Sequence, residues 1–266
     1  MTRGPLWLLA CLLAAALAAP IVAPYAPEQI DLARRRDPPS AAHWFGTDDL
    51  GRDVLARVLH GARVSLAVGL LSAAVAGASG IAIGGVAGYA GGVVDAALMR
   101  LTDAMLAVPR LPLLMIAAAL LEPTVPMLVV LIGLAGWMET ARVIRAEFRT
   151  LGTRGYVESA RAAGAGHARL ILAHLLPNAA HAVVVSITLA VARGILLESA
   201  LSFFGVGVRP PAASWGNMLY QAQASLATEP WLALVPGAFI LVTTLSVNAA
   251  SDSSNWGSHD STKTRN

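Results

Sequence analysis

Arg110, Glu139, Arg193 and Glu198 are ionisable residues set in runs otherwise suited to hydrocarbon. A charge in such a run is costly unless it meets an opposite charge, water or a polar cavity. The four residues therefore read in one of two ways. They form charge pairs inside a helical bundle, or the arginines reach outward to an interface; alternatively, Arg110 and Arg193 line a path and meet an anionic group such as a carboxylate. Enzymatic chemistry has little to work with. The single lysine is Lys263, so no G-x-x-x-x-G-K-[ST] phosphate loop exists, and energy from ATP must come through a partner. No H-E-x-x-H occurs, and Cys11 is the only cysteine, so neither a zinc set nor a disulfide framework is present. The six histidines, at 43, 60, 167, 174, 181 and 259, lack ligand spacing and read as surface or loop residues; no metal site is expected.

The second informative stretch is 156–178, YVESARAAGAGHARLILAHLLPN, a basic loop between apolar runs. Its pattern predicts two short helices, Tyr156 to Ala163 and His167 to Leu175. Gly164 suits a left-handed helix stop, and Pro177 ends the second helix. Ala160, Ala162, Ala163 and Gly164 carry almost no side-chain bulk, so another surface can approach their backbone, while Glu158, Arg161 and Arg169 place charge around the patch.

The elements that position these residues are set by composition. With 56% hydrophobic and 13% charged residues, the chain cannot cover a soluble core with polar surface, and it belongs in lipid. A hydrocarbon core about 30 Å thick needs roughly 20 apolar helical residues. Six runs qualify, at about 6–24, 65–90, 101–121, 126–143, 179–204 and 230–249. Helices alone hide the backbone polar groups of so many spans, so the expected fold is all-α. Gly80, Gly84 and Gly88 repeat every four residues on one face of the second span, as close helix packing in a membrane requires; lipid exposure is the alternative. The first run follows Arg3 and ends in small residues, so it reads as an anchor helix or as a cleaved leader. Residues 25–63, rich in Pro, Asp and Arg, form a long connection with an amphipathic helix expected from Asp49 to Leu59. This connection is either a solvated linker or a docking edge for an external receptor. Residues 206–228 form a second connection, stiffened by Pro210 and Pro211, with Trp215 suited to an interface.

The loop pattern resembles the signature of permease subunits of binding-protein-dependent ABC importers, carried here by Glu158, Ser159, Ala160, Gly164, Leu176 and Pro177, with Ala163 beside the glycine. Ser159 and His174 depart from the usual pattern. FGTDDLGRDVLARVLHGARVSL (Phe45 to Leu66) and LLESALSFFGVGVRPPAASWGNML (Leu196 to Leu219) resemble the flanking segments of the dipeptide, oligopeptide and nickel permeases, specifically the C-type component. The resemblance spans about residues 5–250 and leaves the last 16 unmatched.

It implies a type I permease fold of about six spans. The expected organisation is an anchor over 1–24, an extracytoplasmic linker over 25–63 and a permease domain over 64–250 with a coupling loop at 150–178, followed by a polar, disordered tail over 251–266. It also implies a non-enzymatic subunit of a bacterial inner membrane. The implied partners are a second homologous permease, two cytoplasmic ATPases that bind the ATP, an extracytoplasmic substrate-binding protein and membrane lipid, with no nucleic acid and no cofactor of its own. Both termini would be cytoplasmic. Arg100, Arg142, Arg145, Arg149, Arg154, Arg161 and Arg169 would then lie inside and Arg34, Arg35, Arg36, Arg52, Arg57 and Arg63 outside, so the positive-inside rule gives weak support and the orientation rests on the loop. Di- or oligopeptides are the implied cargo. Nickel is disfavoured by the lack of a His, Met or Cys cluster, and an ion-coupled secondary transporter by the lack of a visible inverted repeat. A structural scaffold without transport is the remaining alternative.

Overall fold

The apolar runs of this chain are too long for anything but helices, and the computed structural model, which describes residues 4–121 and 124–263, is helical with no strand among the described residues. α1 (Gly4–Val22) is followed by a long connection and by α2 (Val54–Ala90), whose 37 residues would extend about 55 Å. That is nearly twice the ~30 Å hydrocarbon core. α3 (Gly92–Ala107) and α4 (Arg110–Leu121) come next, then α5 (Val125–Leu134) and α6 (Trp137–Gly152). α7 (Gly155–Ala162), α8 (His167–Arg169) and α9 (Leu176–Asn178) make up the loop region, with a π-helical turn at Leu170–Leu175 between the last two. α10 (Ala180–Phe203), α11 (Trp215–Ala222) and α12 (Trp231–Lys263) complete the chain.

Among the described residues four helices are long and apolar enough to cross a bilayer: α1, α2, α10 and α12 over Trp231–Ser251. The two remaining expected spans are each broken. α3 and α4 meet at 81°, and α5 and α6 at 43°, so six crossings result only if each bent pair is one span. The first break has a local cause: Val108 is extended (φ −81°, ψ 126°), the conformation that Pro109 imposes on the residue before it. The second falls at Ala135 and Gly136, where the chain passes from the all-apolar α5 to α6, which buries one face, with Trp137, Met138, Ala141, Ile144 and Phe148. The spans expected at about 101–121 and 126–143 are thus each a bent pair of helices. Hydropathy sums over a window and is insensitive to where the helix axis turns.

α2 is the central element, and the glycine stripe explains how. A Cβ at Gly80 would lie 2.6 Å from Thr140 Cβ, one at Gly84 2.8 Å from Ala141 Cα, and one at Gly88 2.8 Å from Phe148 Cβ. The stripe therefore faces α6, not lipid. Ala16 and Ala19 of α1 are buried in a cluster with Val54, Val58 and Leu66 of α2, Trp215 of α11 and Ile240 of α12. Cys11 of α1 is exposed.

The connection over 25–63, read as either a solvated linker or a docking edge, is folded. Its helix starts at Val54, with Asp53 as N-cap accepting the Ala56 N–H at 2.7 Å, not at Asp49. Asp48 accepts from Arg52 Nε at 2.7 Å and lies 3.3 Å from Arg57 Nε, and Gln221 Oε1 of α11 accepts from both arginines at 3.2 Å. His43, read as a surface or loop residue, lies in the loop but is buried, its Nδ1 donating to Asp53 at 2.8 Å. The charges of this stretch are neutralised locally by Asp48 and tied by a hydrogen bond to Gln221, 169 positions from Arg52, which periodicity does not register. The tail expected to be disordered continues α12 on the backbone as far as Lys263; residues 264–266 lie outside the described ones.

Candidate functional site

Two regions gather the residues singled out above. The first is the loop. α7 ends in a Schellman arrangement: the Gly164 N–H donates to Arg161 O and the Ala165 N–H to Ala160 O, both at 3.0 Å, with Gly164 at φ +83°. That left-handed residue is the stop expected from sequence. Underneath, Val157, Leu170, Leu175 and Ala179 are buried against Ile144 and Phe148 of α6, so the loop is seated on the end of the bundle. Tyr89 of α2 adds a hydrogen bond to His167 at 2.5 Å. Glu158, Ser159, Arg161, Ala162, Ala163, Gly164, Gly166, Ala168 and Arg169 face outward, and Ala160 is half-buried. No heavy atom lies within 4 Å of a Cβ placed at Gly164 or Gly166. The result is a firmly based, low-relief face bordered by one acid and two arginines.

The expected second loop helix is corrected in detail. His167 to Leu175 is helical, but from Leu170 it widens into a π turn, and the chain stays helical through Leu176 and Pro177. Proline lacks an N–H and its ring crowds the carbonyl four residues earlier. A wider turn just before it relieves that conflict.

The second region is the charge cluster. Arg110 Nη2 donates to Glu139 Oε1 at 2.9 Å, and Arg193 Nη1 donates to Glu139 Oε2. Arg110 is the first residue of α4 and Glu139 lies in the first turn of α6, so each stands beside a helix break, and Arg193 reaches them from within α10. The bridge thus ties three helices together. It lines a cleft with Ser72, Ala76, Gly136, Ala190 and Gly194, and its side chains stay 22–36% exposed. Glu198 does not join it. It is fully buried and accepts from Ser65 Oγ at 2.9 Å and Ser202 Oγ at 2.8 Å, while Ser65 Oγ accepts the Trp215 N–H at 3.2 Å. Glu198 therefore fastens α2 and α10 to the start of α11, a role that its apolar sequence context did not signal.

A further set of pairs escaped sequence reasoning. Asp95 of α3 is buried and accepts from Arg145 at both oxygens and from Arg149 at 3.3 Å, and Arg142 donates to Asp103 at 2.5 Å. These lock α3 to α6 on the side of the loop. Among the described residues no group of three or more His, Cys, Asp or Glu could hold a metal ion.

A bundle of long apolar helices, bent at two polar junctions and carrying a seated helical loop at one end, has the architecture of a multi-pass membrane permease of the type I ABC importer fold. The chain belongs to the family described as binding-protein-dependent transport system inner membrane component, whose model matches residues 80–255. It is therefore an inner-membrane transport subunit. Among its relatives, a Brucella suis biovar 1 protein named for a peptide permease is 42% identical over 247 residues, covering 92% of this chain and 82% of its own. The dipeptide transport system permease protein DppC of Bacillus subtilis is 36% identical, covering 95% and 79% respectively. The oligopeptide transport system permease protein OppC of the same organism is 35% identical, covering 89% and 78%.

Proposed function

We propose that this subunit, paired with a second homologous permease, forms the membrane path for di- or oligopeptides, with Arg110, Glu139 and Arg193 on that path. Two cytoplasmic ATPases bind and hydrolyse the ATP, an extracytoplasmic binding protein delivers the peptide, and the subunit itself carries no catalysis and no cofactor. The peptide reading is supported by the names of the relatives, three of which are permeases for peptides, dipeptides or oligopeptides.

The observation that carries the coupling is the outer face of 158–169, which is exposed and low in relief yet anchored through Val157, Leu170 and Leu175 to α6. A partner pressing on a face so mounted moves the bundle end with it instead of merely deforming a loop. ATP-driven closure of the ATPases would tilt the helices in this way and open the path alternately to either side. The ties from buried Asp95 to the more exposed Arg145 and Arg149 extend that mounting to α3.

The test is transport of labelled peptides by the four-subunit complex in proteoliposomes, with and without the binding protein. Accumulation of peptide that requires both ATP and the receptor is the expected result. Peptide movement driven by an ion gradient without the ATPases would overturn the reading in favour of a secondary transporter.

A further inference from the structure

We propose that Glu139 is an internal stand-in for the substrate's terminal carboxylate, so that a peptide passes the cleft by exchanging its own carboxylate for Glu139 on the arginines. This inference rests on the peptide reading above and deepens it. Both Arg110 and Arg193 donate to Glu139, one to each carboxylate oxygen. Two guanidiniums thus face one carboxylate, and among the described residues no other ionisable side chain lines the cleft, which leaves one positive charge in excess there. In a setting of low dielectric such a charge calls for a second anion.

Several observations favour an exchange over a permanent brace. The three side chains are 22–36% exposed, in contrast to the fully buried Glu198, so within this subunit they are not sealed off. Guanidiniums bind a carboxylate with two parallel N–H donors when free to do so, yet each arginine here spends one end-on contact on Glu139. Each therefore keeps unused donors with which to engage an incoming carboxylate before releasing Glu139. The rest of the lining carries no charge: Ser72, Ala76, Gly136, Ala190 and Gly194 are small, and Ile132 and Leu197 are apolar, so the arginines and Glu139 are the groups there that can engage a carboxylate. Arg110 and Glu139 also stand next to the breaks between α3 and α4 and between α5 and α6. Opening the bridge would free α4 and α6 from α10 where their neighbours are already hinged. A free carboxylate on the substrate then serves as the ligand that loosens the closed bundle, and a peptide amide lacks the group that performs the exchange.

The experiment compares a tripeptide with its C-terminal amide in proteoliposomes holding the complete complex and one fixed binding protein, at subsaturating concentration. The readout is the acid-to-amide ratio of uptake rates. Any preference of the receptor cancels when the parental ratio is divided into that of a variant. Glu139→Gln removes the competing anion and should raise the ratio about tenfold, the scale of one charge-assisted hydrogen bond. Arg193→Gln leaves Arg110 balanced by Glu139 and should lower it by a similar factor. Glu139→Asp retains the charge and should stay near the parental ratio; if Glu139→Gln does not assemble, Arg193→Gln and Arg193→Lys carry the comparison, with lysine restoring the ratio. An unchanged ratio in assembled variants of a complex that does transport tripeptides overturns the exchange while leaving the peptide reading intact. A parental complex that moves neither peptide overturns both.

Discussion

Replacing Gly164 by Val tests whether the loop works as a preformed docking face. The structure isolates the effect. Gly164 lies at φ +83°, and a Cβ there would have no heavy atom within 4 Å, so the substitution introduces no clash and its cost is conformational. A left-handed conformation costs an L-residue roughly 1–2 kcal/mol, with a β-branched side chain at the upper end. If the chain escapes that strain by leaving the conformation, it forfeits the hydrogen bonds from Gly164 to Arg161 and from Ala165 to Ala160, each worth about 1 kcal/mol. Either route penalises the docking-competent loop by about 2 kcal/mol, which weakens ATPase binding about thirtyfold. Asn tolerates the left-handed region, so Gly164→Asn should lose several-fold less. The anchoring residues Val157, Leu170 and Leu175 lie elsewhere in the loop, and the helices that cross the membrane are untouched, so the variant subunit should insert at the parental level. The assay is the affinity of the purified ATPases for permease complexes in nanodiscs, with membrane yield measured in parallel. Parental affinity for Gly164→Val, with parental insertion, would refute the reasoning, because the left-handed cap would then be irrelevant to the docking face.

Glu158 is exposed in the first turn of α7, where the helix dipole favours an acid; Glu158→Lys should fray that turn by a few tenths of a kcal/mol and, more sharply, reduce receptor-stimulated ATP hydrolysis, measured as the ratio of stimulated to basal rate. Gly84→Val would drive side-chain atoms into the Ala141 backbone, and separating α2 from α6 should cost about 3 kcal/mol, read as a lower thermal midpoint of the purified complex and reduced membrane yield. Asp48→Ala leaves the buried guanidiniums of Arg52 and Arg57 without their shared carboxylate and should destabilise the packing of 43–57 on α11 by about 3–5 kcal/mol, read as faster proteolysis within 25–53; unchanged cleavage would show that the fold there does not depend on this ion pair.

The class of this protein is present in its linear pattern. Apolar runs of roughly 20 residues commit it to membrane helices before any packing is known, because in hydrocarbon the backbone has no other way to satisfy its polar groups. The loop was equally readable: glycine at 164 is a local signal for a left-handed stop, and local signals survive in sequence. The glycine stripe at 80, 84 and 88 announced a close helix contact, though the partner, α6, could not be named, since a period describes one helix and not its neighbour. What tertiary structure alone decided are the pairings. Arg110 and Arg193 converge on Glu139, whereas Glu198, an acid in an equally apolar setting, is claimed by two serines; the alternatives differ only in rotation and axial shift of helices, which composition does not encode. The same holds for residues 25–53, whose polarity is what a solvated linker would show. Asp48 neutralises Arg52 and Arg57 locally, but the two guanidiniums meet Gln221 only after α11 folds back over the start of α2, so the burial of those charges is a consequence of chain topology.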